Sequence, residues 1–457
     1  MPATALARSL DGNPDPSFAE LLAGRPSLSM DPLAGLMMEE VPLAQVARAF
    51  GTPTWVYSAG TLRRRARMLR AALDEAGLAA SIHFATKANP SLAVVNLLAG
   101  EGLGADVVSE GELRAARAAG VPGQGIVFSG VGKSAREMRL ALEEDILQLN
   151  VESAEEAQML SDVAVAMGKR ARCALRVNPD VDARTHAKIT TGLTENKFGV
   201  PIALAPALYA RMCGMPGLDP VGVAVHIGSQ ITQGVASYRA AYARLGELVR
   251  ALRAQGLPVL RVDCGGGLGI PYRDELPGTP AALAGAIKAG LGDLGVGIML
   301  EPGRWICGPA GVLLSSVIVE KHSPAPEGTQ GGGKRFVILD AAMNDLLRPA
   351  MYEAWHGLLP LSPVAYTAAQ SPADVVGPVC ESSDTFARGR LLPALPPQSL
   401  VAFLDAGAYG ASMSSTYNAR PLAAEVMVEG GRFALIRARQ DHAALLAGQR
   451  LPDWASA

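Results

Sequence analysis

The stretch IHFATKANP, residues 82–90, carries an apolar run into a single lysine, Lys87, with no carboxylate close by in sequence. A lysine is almost never fully buried unless it has a charge partner or a chemical task. The task it suits is nucleophilic, because an amine condenses with an aldehyde. Reactive residue types recur at the ends of later apolar runs: His226 and Ser229 in HIGS, Gly265, Gly266 and Gly267 in CGGGLG, and Glu301, Gly303 and Arg304 in EPGR. Singly, each has an ordinary explanation. Lys87 could snorkel to solvent, His226 could be a satisfied core histidine, the glycines a tight turn, and Glu301 with Arg304 a rim salt bridge. Together they describe a pyridoxal phosphate site: an amine for the aldehyde, backbone N–H groups freed by glycine for the phosphate with Ser229 as a hydroxyl donor, an imidazole against the ring face, and Glu301 for the ring nitrogen.

Such a set needs elements that bring it to one place. From residue 82 onward, short runs rich in β-branched residues alternate with helical stretches such as EGELRAARAAG and SAREMRLALEED. The strand candidates are 82–88, 104–109, 125–130, 146–153, 173–179, 221–229, 260–269 and 297–304, and the early starts recur at one βα unit per step. Eight units predict a (β/α)8 barrel, in which reactive groups gather at the C-terminal ends of the strands. After Arg304 the alternation stops. KRFVILDAAMNDLL, the run around Val375 to Cys380, LVAFLDAGAYGASM and AEVMVEGGRFALIRAR predict a mostly β region, with a hairpin through Gly430 and Gly431. The fold class expected is therefore α/β plus β: a TIM barrel followed by a β-barrel-like domain. HSPAPEGTQGGGK, residues 322–334, reads as an exposed Pro/Gly-rich loop.

Bulk properties narrow the partners. A chain of 457 residues with 49% hydrophobic content supports two or three domains, and a net charge of −2 gives no general electrostatic claim on nucleic acid or an anionic membrane. Five scattered cysteines without a CxxC pair indicate neither a disulfide framework nor a metal site, and they fit a reducing compartment. The leading segment MPATALARSLDGNPDPSFAELLAGRPS lacks the unbroken apolar core of a signal peptide, and no run is long enough to span a membrane. A cytoplasmic protein acting on a small molecule is expected.

HFATKANP, HIGSQI, CGGGLGI, EPGR, GPVCESSDTFA and DAGAYGASMSSTYNARPLAAEV resemble, in order and spacing, the motifs of the alanine-racemase-fold pyridoxal phosphate decarboxylases. Within them the chain is similar to the diaminopimelate decarboxylase family. The resemblance runs from about Leu43 to about Arg439 and includes LQLNVES, RVNPDVDARTH and ENKFG. Two stretches depart from it: residues 1–30, expected as a loosely ordered extension, and the 322–334 loop have no motif counterpart and are assigned no function, while the resemblance implies a segment 31–56 completing the β domain, a barrel over 57–308 that binds pyridoxal 5'-phosphate, and a β domain over 309–457. It also implies a homodimer with shared active sites.

The family's residues carry over by position. Lys87 corresponds to the lysine that joins the cofactor, and Cys380 to a proton donor supplied from the partner subunit; by itself Cys380 also suits a small buried hydrophobe. Cofactor contacts fall on His226, Ser229, Gly265, Gly266, Gly267, Glu301, Gly303, Arg304 and Tyr409. Substrate contacts fall on Arg304, Arg348, Tyr352, Glu381 and Tyr409, with the arginines for a distal carboxylate and Glu381 for a distal ammonium. The implied reaction converts meso-2,6-diaminopimelate at its D centre to L-lysine and carbon dioxide, the last step of lysine synthesis. The stereochemistry comes from the resemblance alone. The alternatives are a decarboxylase for ornithine, arginine or carboxynorspermidine on the same fold, disfavoured by Arg348 with Glu381, and a non-catalytic relative, disfavoured by Lys87, the glycines, Glu301 and Cys380.

Overall fold

The computed structural model describes residues 15–182, 197–324 and 333–455. The chain forms two compact units, one of Thr61–Gly308 and one of residues up to Gly60 together with those from Pro309 onward.

The first unit is a closed parallel barrel of eight strands: β1 (Ala80–Ala85), β2 (Gly104–Val107), β3 (Ile126–Phe128), β4 (Gln148–Val151), β5 (Ala171–Asn178), β6 (Leu218–Val225), β7 (Arg261–Asp263) and β8 (Gly297–Leu300). Each pairs with the next, and β8 returns to β1 with Ile298 opposite Ala80 and Leu300 opposite Ile82. All eight strands expected from the sequence are present, several starting or ending a few residues from the expected limits. Their runs are buried almost throughout, as parallel strands covered by helices on the outside require. Local sequence starts the helices. Ser109, Ser134 and Ser153 each stand three residues before a glutamate and accept its backbone N–H, opening Glu110–Ala118, Ala135–Glu143 and Ala154–Ala166. At Ser134 the Glu137 side chain answers with the reciprocal bond of a capping box.

The second unit is mostly sheet. Its path runs through Thr385–Leu392, Ser371–Val376, Arg335–Leu339, Gly311–His322, Thr54–Ser58, Ala424–Glu429 and Arg432–Arg437, with Leu400–Phe403 also paired to Gly311–His322. Thr54–Ser58 lies between Gly311–His322, to which it is antiparallel, and Ala424–Glu429, to which it is parallel, so the N-terminal segment fills an interior position of this sheet. Trp55, Val56 and Tyr57 are accordingly buried. The hairpin through Gly430 and Gly431 is present, with Glu429 opposite Arg432.

Residues 15–30, the described part of the extension expected to be loose over 1–30, carry regular structure. Ser17 and Glu20 form a capping box that opens the helix Phe18–Ala23, Arg25 pairs with Asp405, and Asp15 pairs with Arg390 at 2.9 Å. Local capping and two ion pairs hold a stretch that composition alone read as loose. Residues 1–14, most of the 322–334 loop, and parts of the RVNPDVDARTH and ENKFG motifs lie outside the described residues. Among the described residues, no helix is long and apolar enough to cross a membrane.

Candidate active site

Lys87 sits on a single 3-10 turn, Thr86–Ala88, directly after β1. The Thr86 hydroxyl oxygen lies 2.9 Å from the Asp106 carbonyl and 2.8 Å from Glu112 Oε2, sharing its one proton between them, which fixes the turn. Lys87 Nζ then lies 2.7 Å from Asp106 Oδ2. The carboxylate absent from the local sequence is thus supplied by the neighbouring strand, β2. Asp106 is fully buried, and its Oδ1 has no hydrogen-bond partner among the described residues.

The barrel brings Lys87, His226 and Glu301 onto one cavity of about 340 Å³, lined also by Ser129, Asn150, Arg176, Phe198 and Asp263. Its volume lies in the range of small-molecule sites. Glu301 follows β8. Its Oε1 accepts from Ser129 Oγ at 3.0 Å, and Asn150 Nδ2 donates to Asp263 Oδ2 at 2.9 Å. Burial is the largest cause holding the Glu301 carboxyl well above its ordinary range, with the charges of Asp106 and Asp263 adding to it. Burial also raises Asp263, which shares a hydrogen bond with Glu301. Three acids facing one lysine cannot all ionise away from water, so a proton stays on this pair.

His226 follows β6 and accepts from Gly266 N–H at Nδ1, 3.2 Å, which leaves the proton of the neutral ring on Nε2. Burial, Arg176 and Lys87, in that order, push its pKa well below the usual value. The turn after β7 requires glycine. A Cβ on Gly265, at φ +66°, would lie 2.2 Å from the Val225 carbonyl, and one on Gly266 would lie 2.1 Å from that of Glu301. Gly267 completes the turn, and Gly303 precedes the short helix Arg304–Cys307, close against Ala88. Arg304 is buried together with Glu301 and so does not stand at a solvated rim. Its Nη2 donates to Ser229 Oγ at 3.1 Å and its Nη1 to the Tyr272 hydroxyl at 2.8 Å. Ser229 thereby keeps its own hydroxyl proton available to an anion.

The other sequence-predicted residues belong to the second unit. Arg348 begins the helix Arg348–Tyr352 and is buried, with Nη1 2.7 Å from His356 Nε2, while Tyr352 is half-buried. Cys380 is exposed, not the buried small hydrophobe that free cysteines usually become, and its N–H donates to Asn418 Oδ1 at 3.2 Å. Hydrogen bonds from Ser383 and Tyr417 hold the exposed Glu381 carboxyl below its usual range. Tyr409 has a positive φ, +55°. Asp384 stitches these loops by accepting from Met343 N–H and Val379 N–H, each at 2.7 Å.

Sequence reading missed Asp106, Ser129, Asn150, Arg176 and Asp263, all of which line or border the cavity. The signal was partial: each lies inside a strand candidate, and it is the observed strands, which end earlier than most of the expected runs, that place them near the C-terminal ends where a barrel collects its reactive groups. Arg176 is held by Glu152 at 2.8 Å and lies over the Phe198 ring. Tyr272, in the loop after β7, carried no comparable signal.

Residues 59–308 match the family model described as pyridoxal-dependent decarboxylase, pyridoxal binding domain. A diaminopimelate decarboxylase of Zymomonas mobilis is 48% identical over 422 residues, covering 92% of this chain and 97% of that protein. The chain belongs to the diaminopimelate decarboxylase family. Solved structures agree. A Helicobacter pylori diaminopimelate decarboxylase complexed with L-lysine is 38% identical with a TM-score of 0.83, covering 89% of this chain and 98% of that one. One from M. jannaschii, also with L-lysine, is 34% identical with a TM-score of 0.87, covering 94% and 99%. Members of this diaminopimelate decarboxylase family use pyridoxal phosphate, and the residues present fit it. The cavity offers an amine, a protonated buried acid and a neutral imidazole beside a turn whose backbone approaches so closely that no side chain fits.

Proposed function

We propose that this chain removes carbon dioxide from meso-2,6-diaminopimelate at its D centre, giving L-lysine in the last step of lysine synthesis, as a homodimer with shared active sites. The observation that carries the reading is the meeting of Lys87, His226 and Glu301 on one barrel cavity, in a chain with family identity along most of its length. Bound there, pyridoxal phosphate supplies a sink for the electron pair left when the carboxylate departs.

The chain's own groups have separate tasks. Lys87 is the amine that holds the cofactor aldehyde, and Asp106 beside it keeps a negative charge within 2.7 Å of that nitrogen. Glu301, protonated in the chain alone, places an acid at the ring nitrogen and holds its proton there. Gly267 and Gly303 offer backbone N–H groups to the phosphate, with Ser229 adding a hydroxyl, while Gly265 and Gly266, whose N–H groups go to Asp263 and His226, shape the turn that lets it approach. His226, on the same cavity, would hold the ring face, and Tyr409 would contact cofactor and substrate. Arg304, Arg348 and Tyr352 bind the distal carboxylate, and Glu381 binds the distal ammonium. Cys380 from the partner subunit gives a proton from Sγ to the carbon that lost carbon dioxide, a role supported by its exposure.

Product analysis with holoenzyme tests the reading. Meso-diaminopimelate, ornithine, arginine and carboxynorspermidine are supplied separately, and lysine from the first alone is expected. Turnover of another substrate would overturn the distal pocket, and silence on all four would overturn the activity.

A further inference from the structure

His356 carried no role in the sequence reading, yet the fold places it under Arg348 by two independent constraints. Glu353, at φ +53°, ends the helix Arg348–Tyr352 in a left-handed turn that sends the chain back. The strand Leu358–Pro360 then pairs antiparallel with Leu400–Phe403, and Leu404 N–H donates to the Gly357 carbonyl at 2.8 Å. This register sets the Leu404 carbonyl 2.8 Å from His356 Nδ1. A carbonyl only accepts, so Nδ1 carries the proton and Nε2 presents its lone pair. Arg348 Nη1 lies 2.7 Å from that lone pair. The backbone is anchored as well. Arg390 Nη1 donates to the His356 carbonyl at 3.1 Å, its guanidinium lies over Trp355, and Asp15 pairs with it.

We propose that His356 is a positioning residue that sets the guanidinium plane of Arg348 for the substrate carboxylate retained in the product. The inference rests on the reading of Arg348 as that carboxylate's partner. The imidazole is a neutral acceptor with its tautomer fixed by the sheet, so it orients one edge of the guanidinium without contributing a negative charge there. The other edge is then presented in a set plane, and an arginine fork is worth most when it meets a carboxylate in plane.

Equilibrium binding to the holoenzyme tests this without turnover. The ligands are L-lysine, which keeps the distal carboxylate, and 1,5-diaminopentane, which has the same chain without it. His356→Asn retains a donor near the position of Nδ1 for Leu404 but no acceptor for Arg348, whereas His356→Gln retains an acceptor near the position of Nε2. The expected result is a roughly tenfold loss of L-lysine affinity in His356→Asn with 1,5-diaminopentane unchanged, and recovery to within about threefold in His356→Gln. Arg348→Ala should also lose the preference for L-lysine. If His356→Asn keeps the preference while Arg348→Ala loses it, the inference falls and the reading of Arg348 stands; if Arg348→Ala keeps it, both fall. Should His356→Asn fail to fold, His356→Gln decides: a native preference supports the proposal and a tenfold fall overturns it.

Discussion

Replacing Glu301 with glutamine separates the two tasks given to that carboxyl. Burial, with Asp106 and Asp263, holds Glu301 well above its ordinary value of 4.5, and burial raises its partner Asp263. The folded, cofactor-free chain therefore keeps a proton that the unfolded chain releases above the ordinary carboxyl range. An acid raised by folding contributes its full stability below its unfolded pKa and loses that contribution as pH rises toward its folded value. In that window each such proton costs about 1.4 kcal/mol of stability per pH unit. Glutamine does not titrate, and its Oε1 can still accept from Ser129, which stands 3.0 Å from Glu301 Oε1, while its amide donates to Asp263. Glu301→Gln should therefore gain on the native chain by about 1.4 kcal/mol per pH unit as pH rises from about 5 through the window. Urea denaturation of the cofactor-free proteins from about pH 5 to about pH 8 measures the slope. Parallel curves, or a variant that loses ground as pH rises, would refute a protonated Glu301. In the holoenzyme the same change removes the acid at the ring nitrogen, and turnover should fall by at least about 100-fold with the cofactor still bound.

Lys87→Ala and Cys380→Ala should each be nearly inactive alone, while mixed subunits recover part of the activity, because one intact site then forms; verified heterodimers without activity would sink the shared site. Lys133 is buried, with Nζ 2.6 Å from Glu156 Oε1 and donating to the carbonyls of Gly130 and Asn150, both cavity residues. Lys133→Met should destabilise the barrel by about 3 kcal/mol in urea, since it leaves a buried acid without its cation. A loss under about 1 kcal/mol would mean that water replaces the amine there.

The barrel was legible because its strands are buried on both faces and its βα units recur, so periodicity and length identified all eight strands. The reactive strand ends were only partly legible. Lys87, His226 and Glu301 stood out by residue type, whereas Asp106, nineteen positions from Lys87, became its partner only when β2 closed beside β1. Pairing across strands depends on register, which these short runs do not state locally. The serine-to-glutamate spacing at 109, 134 and 153 was a readable mark of helix starts, and it also supplies Glu112 and Glu156 to the networks around Thr86 and Lys133. The ordered stretch from Asp15 was hidden for a different reason: its partners, Arg390 and Asp405, lie more than three hundred residues away.

The account stands most directly on Lys87 as the amine that holds the cofactor. Borohydride reduction of the holoenzyme fixes the cofactor to whichever lysine carries it, and peptide mass mapping identifies that residue. The account predicts the label on Lys87 alone. A label on the buried Lys133, or on any surface lysine with Lys87 unmodified, would contradict it.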